Sequence, residues 1–134
     1  MMTTLGWLAG VIGRAVDLDR AYGAQCVDLV NDWLVHGRGV SIVTGNAVDI
    51  MHQTVRGFHW VTNGPTNAPT PGSILVWHAN VLAIGIGRYG HTAVAIAADS
   101  MHILSLDQNW NGQPAASLVL HSYTGLAGWH QPLE

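Results

Sequence analysis

The sequence predicts an α+β domain in which N-terminal helices pack on an antiparallel β-sheet. Three observations predict it. Apolar residues recur at helical spacing in the first third, as Leu5, Leu8, Ile12 and Val16 do. Short strand-like runs fill the second half, separated by turn residues. The two kinds of element are segregated along the chain and do not alternate, which argues against a parallel sheet built from βαβ units.

Each element follows from local chemistry. Thr3 or Thr4 can cap the first helix, because a hydroxyl there accepts from an otherwise unpaired backbone N–H. Asp17 to Gln25 is polar and contains glycine, so it reads as a loop. A second helix starts at Cys26, turns Val27, Val30 and Leu34 to one side, and ends at His36-Gly37, where Gly suits a C-cap. A third, short helix follows Asn46 through Val48, Ile50 and Met51. Asn63 to Gly72 holds three of the five prolines and reads as a loop inside one domain. Strands are expected over 73–77, 92–97, 101–106 and 117–123, with Ala98-Asp99-Ser100 turning a hairpin.

Composition narrows the function. The 134 residues suit one domain, 1–134, and 49% hydrophobic against 10% charged residues supplies a core where disorder would need the reverse. All five basic residues are scattered arginines (14, 20, 38, 56 and 88) against eight acidic ones, so no nucleic-acid footprint or polybasic membrane patch is expected. No apolar run reaches the roughly 20 residues of a transmembrane segment. Leu5 to Ile12 lacks a preceding positive charge and reads as an amphipathic helix, not a secretory signal. A single cysteine excludes an internal disulfide and a cysteine-based zinc knuckle.

That cysteine carries the first chemical signal. Cys26 opens a helix, where unpaired amides and the helix dipole favour an anion. A thiol nucleophile needs an imidazole to take its proton and return it to the leaving amine. Of eight histidines, His91 stands out: Tyr89-Gly90 turns before it and a strand follows. A third group, Asp107-Gln108-Asn109, ends the next strand and returns beside His91 after the hairpin. Strand alternation puts Asp107 and Asn109 on one face and Gln108 on the other. Either of the first two can orient the imidazole.

The segments Asp17-Leu18-Asp19-Arg20-Ala21-Tyr22-Gly23-Ala24-Gln25-Cys26-Val27-Asp28-Leu29, Gly90-His91-Thr92-Ala93-Val94-Ala95 and Asp107-Gln108-Asn109-Trp110 resemble the CHAP family, the cysteine- and histidine-dependent amidohydrolase/peptidases of phage endolysins and bacterial wall hydrolases. Pro71 to Trp77 and Gly128 to Pro132 look like further strands of that family. The resemblance implies a papain-like fold and hydrolysis of an amide bond in peptidoglycan, by an endopeptidase or an N-acetylmuramoyl-L-alanine amidase. It implies Cys26 as nucleophile, His91 as general base and acid, Asp107 and Asn109 as orienting groups, and Gln25 as an oxyanion donor. Asp107 stands where the family more often has Glu. The implied context is a phage endolysin made in the host cytoplasm without a signal peptide and released through a holin. The alternative is a non-catalytic wall-binding module that uses Trp and His for saccharides.

Three further readings concern binding. Counted from Asp17, the carboxylates of Asp17, Asp19 and Asp28 stand at positions 1, 3 and 12, the spacing of a calcium loop, with Ala21 and Gly23 placed to add backbone carbonyls. Some members of the CHAP family bind Ca2+ in this region. The competing reading is that Asp17 or Asp19 caps a turn and Asp28 serves the helix dipole. Tyr22 and Trp110 are candidate substrate contacts, whereas Trp77 and Trp129 read as packing residues. The other histidines show no metal-ligand spacing, so zinc is not expected.

Overall fold

The computed structural model describes residues 1–133; Glu134, the last residue of the expected domain, lies outside them. Thr3 caps helix α1 (Thr4–Val11), its hydroxyl accepting from the Gly6 N–H at 3.0 Å. The helix stops short of Val16. Gly13 adopts a left-handed φ of 82°, and the chain there bonds to Ala116 through Gly13 N–H and Arg14 C=O. The buried stripe of α1 is therefore Trp7 and Val11, while Leu5 stays 66% exposed. Trp7 meets Trp33 at 5.1 Å and donates from its indole N–H to Asp32 at 2.8 Å.

Helix α2 (Cys26–Asp32) buries Leu29 and Val30 and continues as a π-helical segment, Trp33–Arg38, that ends at left-handed Gly39. The extension carries the helix two residues past the expected stop: Gly37 stays helical and makes room for Trp33, since a Cβ there would lie 2.0 Å from the indole, and Gly39 provides the left-handed end instead. A short 3-10 helix, Ala47–His52, begins after Asn46 as expected. Among the described residues no helix is long and apolar enough to cross a membrane.

Six strands follow: β1 (Phe58–Thr62), β2 (Ile74–Trp77), β3 (His91–Ala98), β4 (Ile103–Asp107), β5 (Ser117–His121) and β6 (Leu126–Pro132). They form one antiparallel sheet in the order β1-β6-β2-β3-β4-β5. Both faces are apolar. Ile74, Val76, Val94 and Leu106 pack under the helices, and Leu75, Trp77, Ala93, Ala95, Ile103 and Trp129 pack beneath loops on the other side. Each large side chain so buried contributes about 1.5–3 kcal/mol of hydrophobic stabilisation. Burial on both faces also removes the alternation that identifies a half-exposed strand, and β2 is buried throughout. The strand missed in the sequence is β1, a five-residue edge strand with exposed and half-buried positions mixed. Its partner is the chain's last strand, far away in sequence.

Two turns place the functional elements. Between β3 and β4, the Asp99 carboxylate accepts from the N–H groups of Met101 and His102, both at 2.8 Å, and closes the expected hairpin. Before β3, Gly90 takes φ +73° with its Cα hard against β2 and the 3-10 helix: an added Cβ would lie 2.8 Å from both the Trp77 carbonyl oxygen and Val48 Cβ. Left-handed strain and overpacking therefore add at this position, which sets where His91 enters the sheet. Gly90→Ala is expected to lower unfolding stability by about 2–4 kcal/mol, read by urea denaturation; a loss under about 0.5 kcal/mol, the level of an ordinary surface change, contradicts this account.

Candidate active site

Gln25, in extended backbone conformation, caps α2 and so puts Cys26 at its first helical position. The Asp28 carboxylate reaches back to accept the Gln25 N–H at 3.0 Å, and the Asp28 N–H bonds the Gln25 carbonyl at 3.1 Å. Cys26 is half-buried and lines an open groove of about 670 Å³ together with Tyr22, Gln25, Tyr89, His91 and Asn109. Tyr22 stands 92% exposed at the rim.

His91, the first residue of β3, joins Cys26 to the sheet. Its Nε2 lies 2.7 Å from Asp107 Oδ2, and its electrostatic partner on the groove side is the Cys26 side chain. A carboxylate only accepts, so Nε2 carries a proton and Nδ1 is the nitrogen left for sulfur. Burial disfavours the charged imidazole, but the Asp107 hydrogen bond and the attraction of the Cys26 and Asp107 side chains outweigh it and push the His91 pKa up to about 9.

Asp107 is fully buried and accepts three donors. Besides His91, Oδ2 takes His121 Nε2 at 2.8 Å, and Oδ1 takes the Ser105 hydroxyl. Burial alone would raise the pKa of this carboxyl; the His121 and His91 bonds outweigh it and hold the pKa below the usual carboxylate range. The imidazoles lie among indoles. Trp110 packs against His91 at 4.7 Å and His121 at 4.9 Å, and Trp77 against the same rings at 5.2 and 4.6 Å. These indoles exclude water and strengthen each hydrogen bond to Asp107.

The two orienting candidates thus separate. Asp107 holds His91, while Asn109, at φ 55°, is exposed and faces the groove. Trp110 is not among the groove-lining residues and sits behind the imidazole. Sequence reasoning missed His121 and Ser105. Ser105 shares the Asp107 face of β4 by simple alternation, which is a usable signal. No linear spacing connects His121 to Asp107.

The acidic residues beside Cys26 also converge. One oxygen from each of Asp17, Asp19 and Asp28 lies within 4.8 Å of the others. Asp17 Oδ1 is shielded from solvent and accepts no hydrogen bond, and the pKa of Asp28 is raised by burial and by repulsion from Asp19 and Asp17, against the lowering effect of backbone donors. A hard cation suits this oxygen-only donor set. Between them the backbone is left-handed at Arg20, Tyr22 and Gly23, and the Ala21 N–H donates to Asp19 at 2.9 Å.

Residues 16–109 match the model of the CHAP domain family, a span that takes in Cys26, His91, Asp107 and Asn109. The chain belongs to this family. This CHAP domain is 30% identical over 137 residues to endolysin PlyTW of Staphylococcus phage Twort, covering 94% of the chain and 28% of that protein. It is 32% identical over 101 residues to endolysin LysK of Staphylococcus phage K, covering 73% of the chain and 20% of that protein. The chain thus spans about a quarter of the curated relatives it matches. Among solved structures, endolysin LysIME-EF1 superposes with a TM-score of 0.82 at 27% identity, covering 98% of this chain and 65% of that one. PlyC superposes with a TM-score of 0.71 at 20% identity over 96% of this chain and 35% of that one, a likeness of fold. The α+β, papain-like expectation holds for this CHAP domain.

The buried pair has a pH signature. His91, with its pKa raised, stabilises the fold fully below the ordinary imidazole value of 6.5 and loses that contribution as pH rises through about 9. Asp107, with its pKa lowered, contributes fully above the ordinary 3.8 and loses that contribution as pH falls through its native pKa. Asp107→Asn is therefore expected to destabilise most, by about 3 kcal/mol, between pH 3.8 and 6.5. The deficit should shrink towards pH 9 and beyond. Denaturant unfolding across pH measures it, and a deficit independent of pH contradicts the charged pair.

Proposed function

We propose that this CHAP domain is the catalytic part of a phage endolysin-type peptidoglycan hydrolase that cleaves an amide bond through Cys26. The observation that carries the proposal is that Cys26 and His91 line one open groove, with the His91 ring bonded to the buried Asp107 carboxylate. The endolysins it resembles give the substrate class.

In this reading Cys26 loses its proton to His91 Nδ1, and the sulfur attacks the substrate carbonyl carbon. The carbonyl π electrons move to oxygen, where the Gln25 side-chain amide and N–H groups freed at the start of α2 stabilise the oxyanion. Collapse breaks the C–N bond while His91 protonates the leaving amine, and a thioester remains on Cys26. Water then attacks the thioester with His91 as base, releasing the carboxylic acid and restoring the thiol. Asp107 stays ionised and keeps Nδ1 towards sulfur. Tyr22 and Asn109 contact the bound strand from the groove wall. The same steps serve an N-acetylmuramoyl-L-alanine amide and a stem or cross-bridge peptide bond, and mass spectrometry of fragments released from defined walls separates the two. Action on the wall follows synthesis in the host cytoplasm and release through a holin.

Asp17, Asp19 and Asp28, with the carbonyls of Ala21 and Gly23, would hold a Ca2+ ion. When bound, the ion supplies positive charge that offsets the three carboxylates and stiffens the loop leading to Cys26.

Cys26→Ala should reduce lysis of purified cell walls by at least about 1,000-fold with the melting temperature held; lysis within tenfold of wild type rejects the thiol mechanism. Calcium at about 100 times its dissociation constant should stabilise the wild type by about 2.7 kcal/mol and leave Asp19→Ala unmoved. Equal, calcium-insensitive melting of both proteins removes the metal site.

A further inference from the structure

Gln108 lies between two residues of the site yet contributes nothing to the groove. Its side chain is fully buried and turns to the opposite face of the chain from Asp107. There it makes three hydrogen bonds to backbone. Oε1 accepts the Val16 N–H at 2.8 Å, and Nε2 donates to the Val16 carbonyl at 2.7 Å and the Gln25 carbonyl at 2.8 Å. Both protons of the amide are used.

Val16 and Gln25 are the two ends of the acidic loop. Val16 precedes Asp17, and Gln25 precedes Cys26. One side chain thus closes the mouth of this loop and ties both ends to the strand whose terminal residue holds His91. The loop itself needs such an anchor: it carries left-handed backbone at Arg20, Tyr22 and Gly23, and Asp19, Arg20 and Tyr22 are exposed or at the rim. Packing of α2 through Leu29 and Val30 fixes the body of that helix, but these residues lie a turn beyond its first position. The carbonyl immediately before Cys26 accepts both the Asp28 N–H of its own helix and Gln108 Nε2, and only the second of these bonds ties it to the sheet. Because Asp107 and Gln108 are consecutive, one short piece of backbone fixes both the partner of the imidazole and the approach of the sulfur.

We propose that Gln108 is a positioning residue for hydrolysis, clamping both ends of the 17–25 loop to β4 and so fixing the Cys26 sulfur against His91. The proposal rests on the thiol-hydrolase reading above. It predicts a loss in turnover larger than the loss in substrate affinity: Gln108 touches neither the groove nor the reacting atoms, and the clamped loop reaches the substrate only through its rim residue Tyr22.

The test compares wild type with Gln108→Glu and Gln108→Asn. The first keeps the shape and turns the double donor into an oxygen facing two carbonyls; the second keeps the amide one methylene too short to reach both loop ends. Hydrogen exchange, wall lysis and alkylation of Cys26 by iodoacetamide are measured on each. In both variants, amides of residues 17–25 should exchange at least tenfold faster while β3 and β4 keep wild-type protection. The lysis kcat should fall roughly 10- to 100-fold, the size of effect that sub-ångström to ångström misplacement of a reacting group produces, with a smaller rise in KM through Tyr22. Wild-type exchange over 17–25 in a folded variant overturns the clamp. Faster loop exchange with an undiminished kcat overturns the positioning role. If Gln108→Glu does not fold, Gln108→Asn is scored on the same readouts; if neither folds, Gln108 is structural and the proposal fails. A wild type that alkylates at Cys26 but lyses no wall rejects the hydrolase reading, and loop exchange and alkylation rate then judge the clamp alone.

Discussion

The site depends on one buried carboxylate. A bare Asp at full burial would give up its charge, because desolvation in a low-dielectric interior is expensive. Asp107 keeps it by accepting from His91, His121 and Ser105, and the two indoles around it keep water from competing. The retained charge keeps the proton on the distal nitrogen of His91 and raises the affinity of that ring for a second one. Removing any one donor leaves the others to carry a charge they only jointly neutralise, so effects at these positions should not add.

The sheet makes that arrangement possible. His91 starts β3 and Asp107 ends β4, and an antiparallel hairpin necessarily brings a first residue near a last one. Central strands buried on both faces hold those ends rigidly, whereas the nucleophile comes from a separate layer, the helix that packs beneath them. Chemistry therefore sits on the seam between two layers. A seam is where a groove opens, and it is also where small shifts matter most, which explains why loop closure beside Cys26 bears on the site.

Much of this was legible along the chain. Thr3, Asn46 and Asp99 announce their cap and turn roles because each bond spans only two or three residues. Cys26, His91 and Asp107 could be singled out because each stands at an element boundary, where chemistry and backbone geometry coincide. Less accessible was the end of α1: the spacing that reaches Val16 continues the helical period, but left-handed Gly13 and pairing with Ala116 stop the helix first. Strand β1 carries too few residues and too mixed a pattern to stand out without its partner.

The amino-acid order by itself determined the segregated α+β plan, the polar loop ahead of a helix-initial thiol, and the face that Asp107 shares with Ser105, since all of these are set by local periodicity and short-range hydrogen bonding. Only the tertiary structure chose Asp107 over Asn109 as the partner of His91, brought in His121, set Trp110 behind the ring and sent Gln108 across to Val16 and Gln25. Those choices depend on strand pairing and on which side chains lose their water together. Such quantities exist only once distant segments have met.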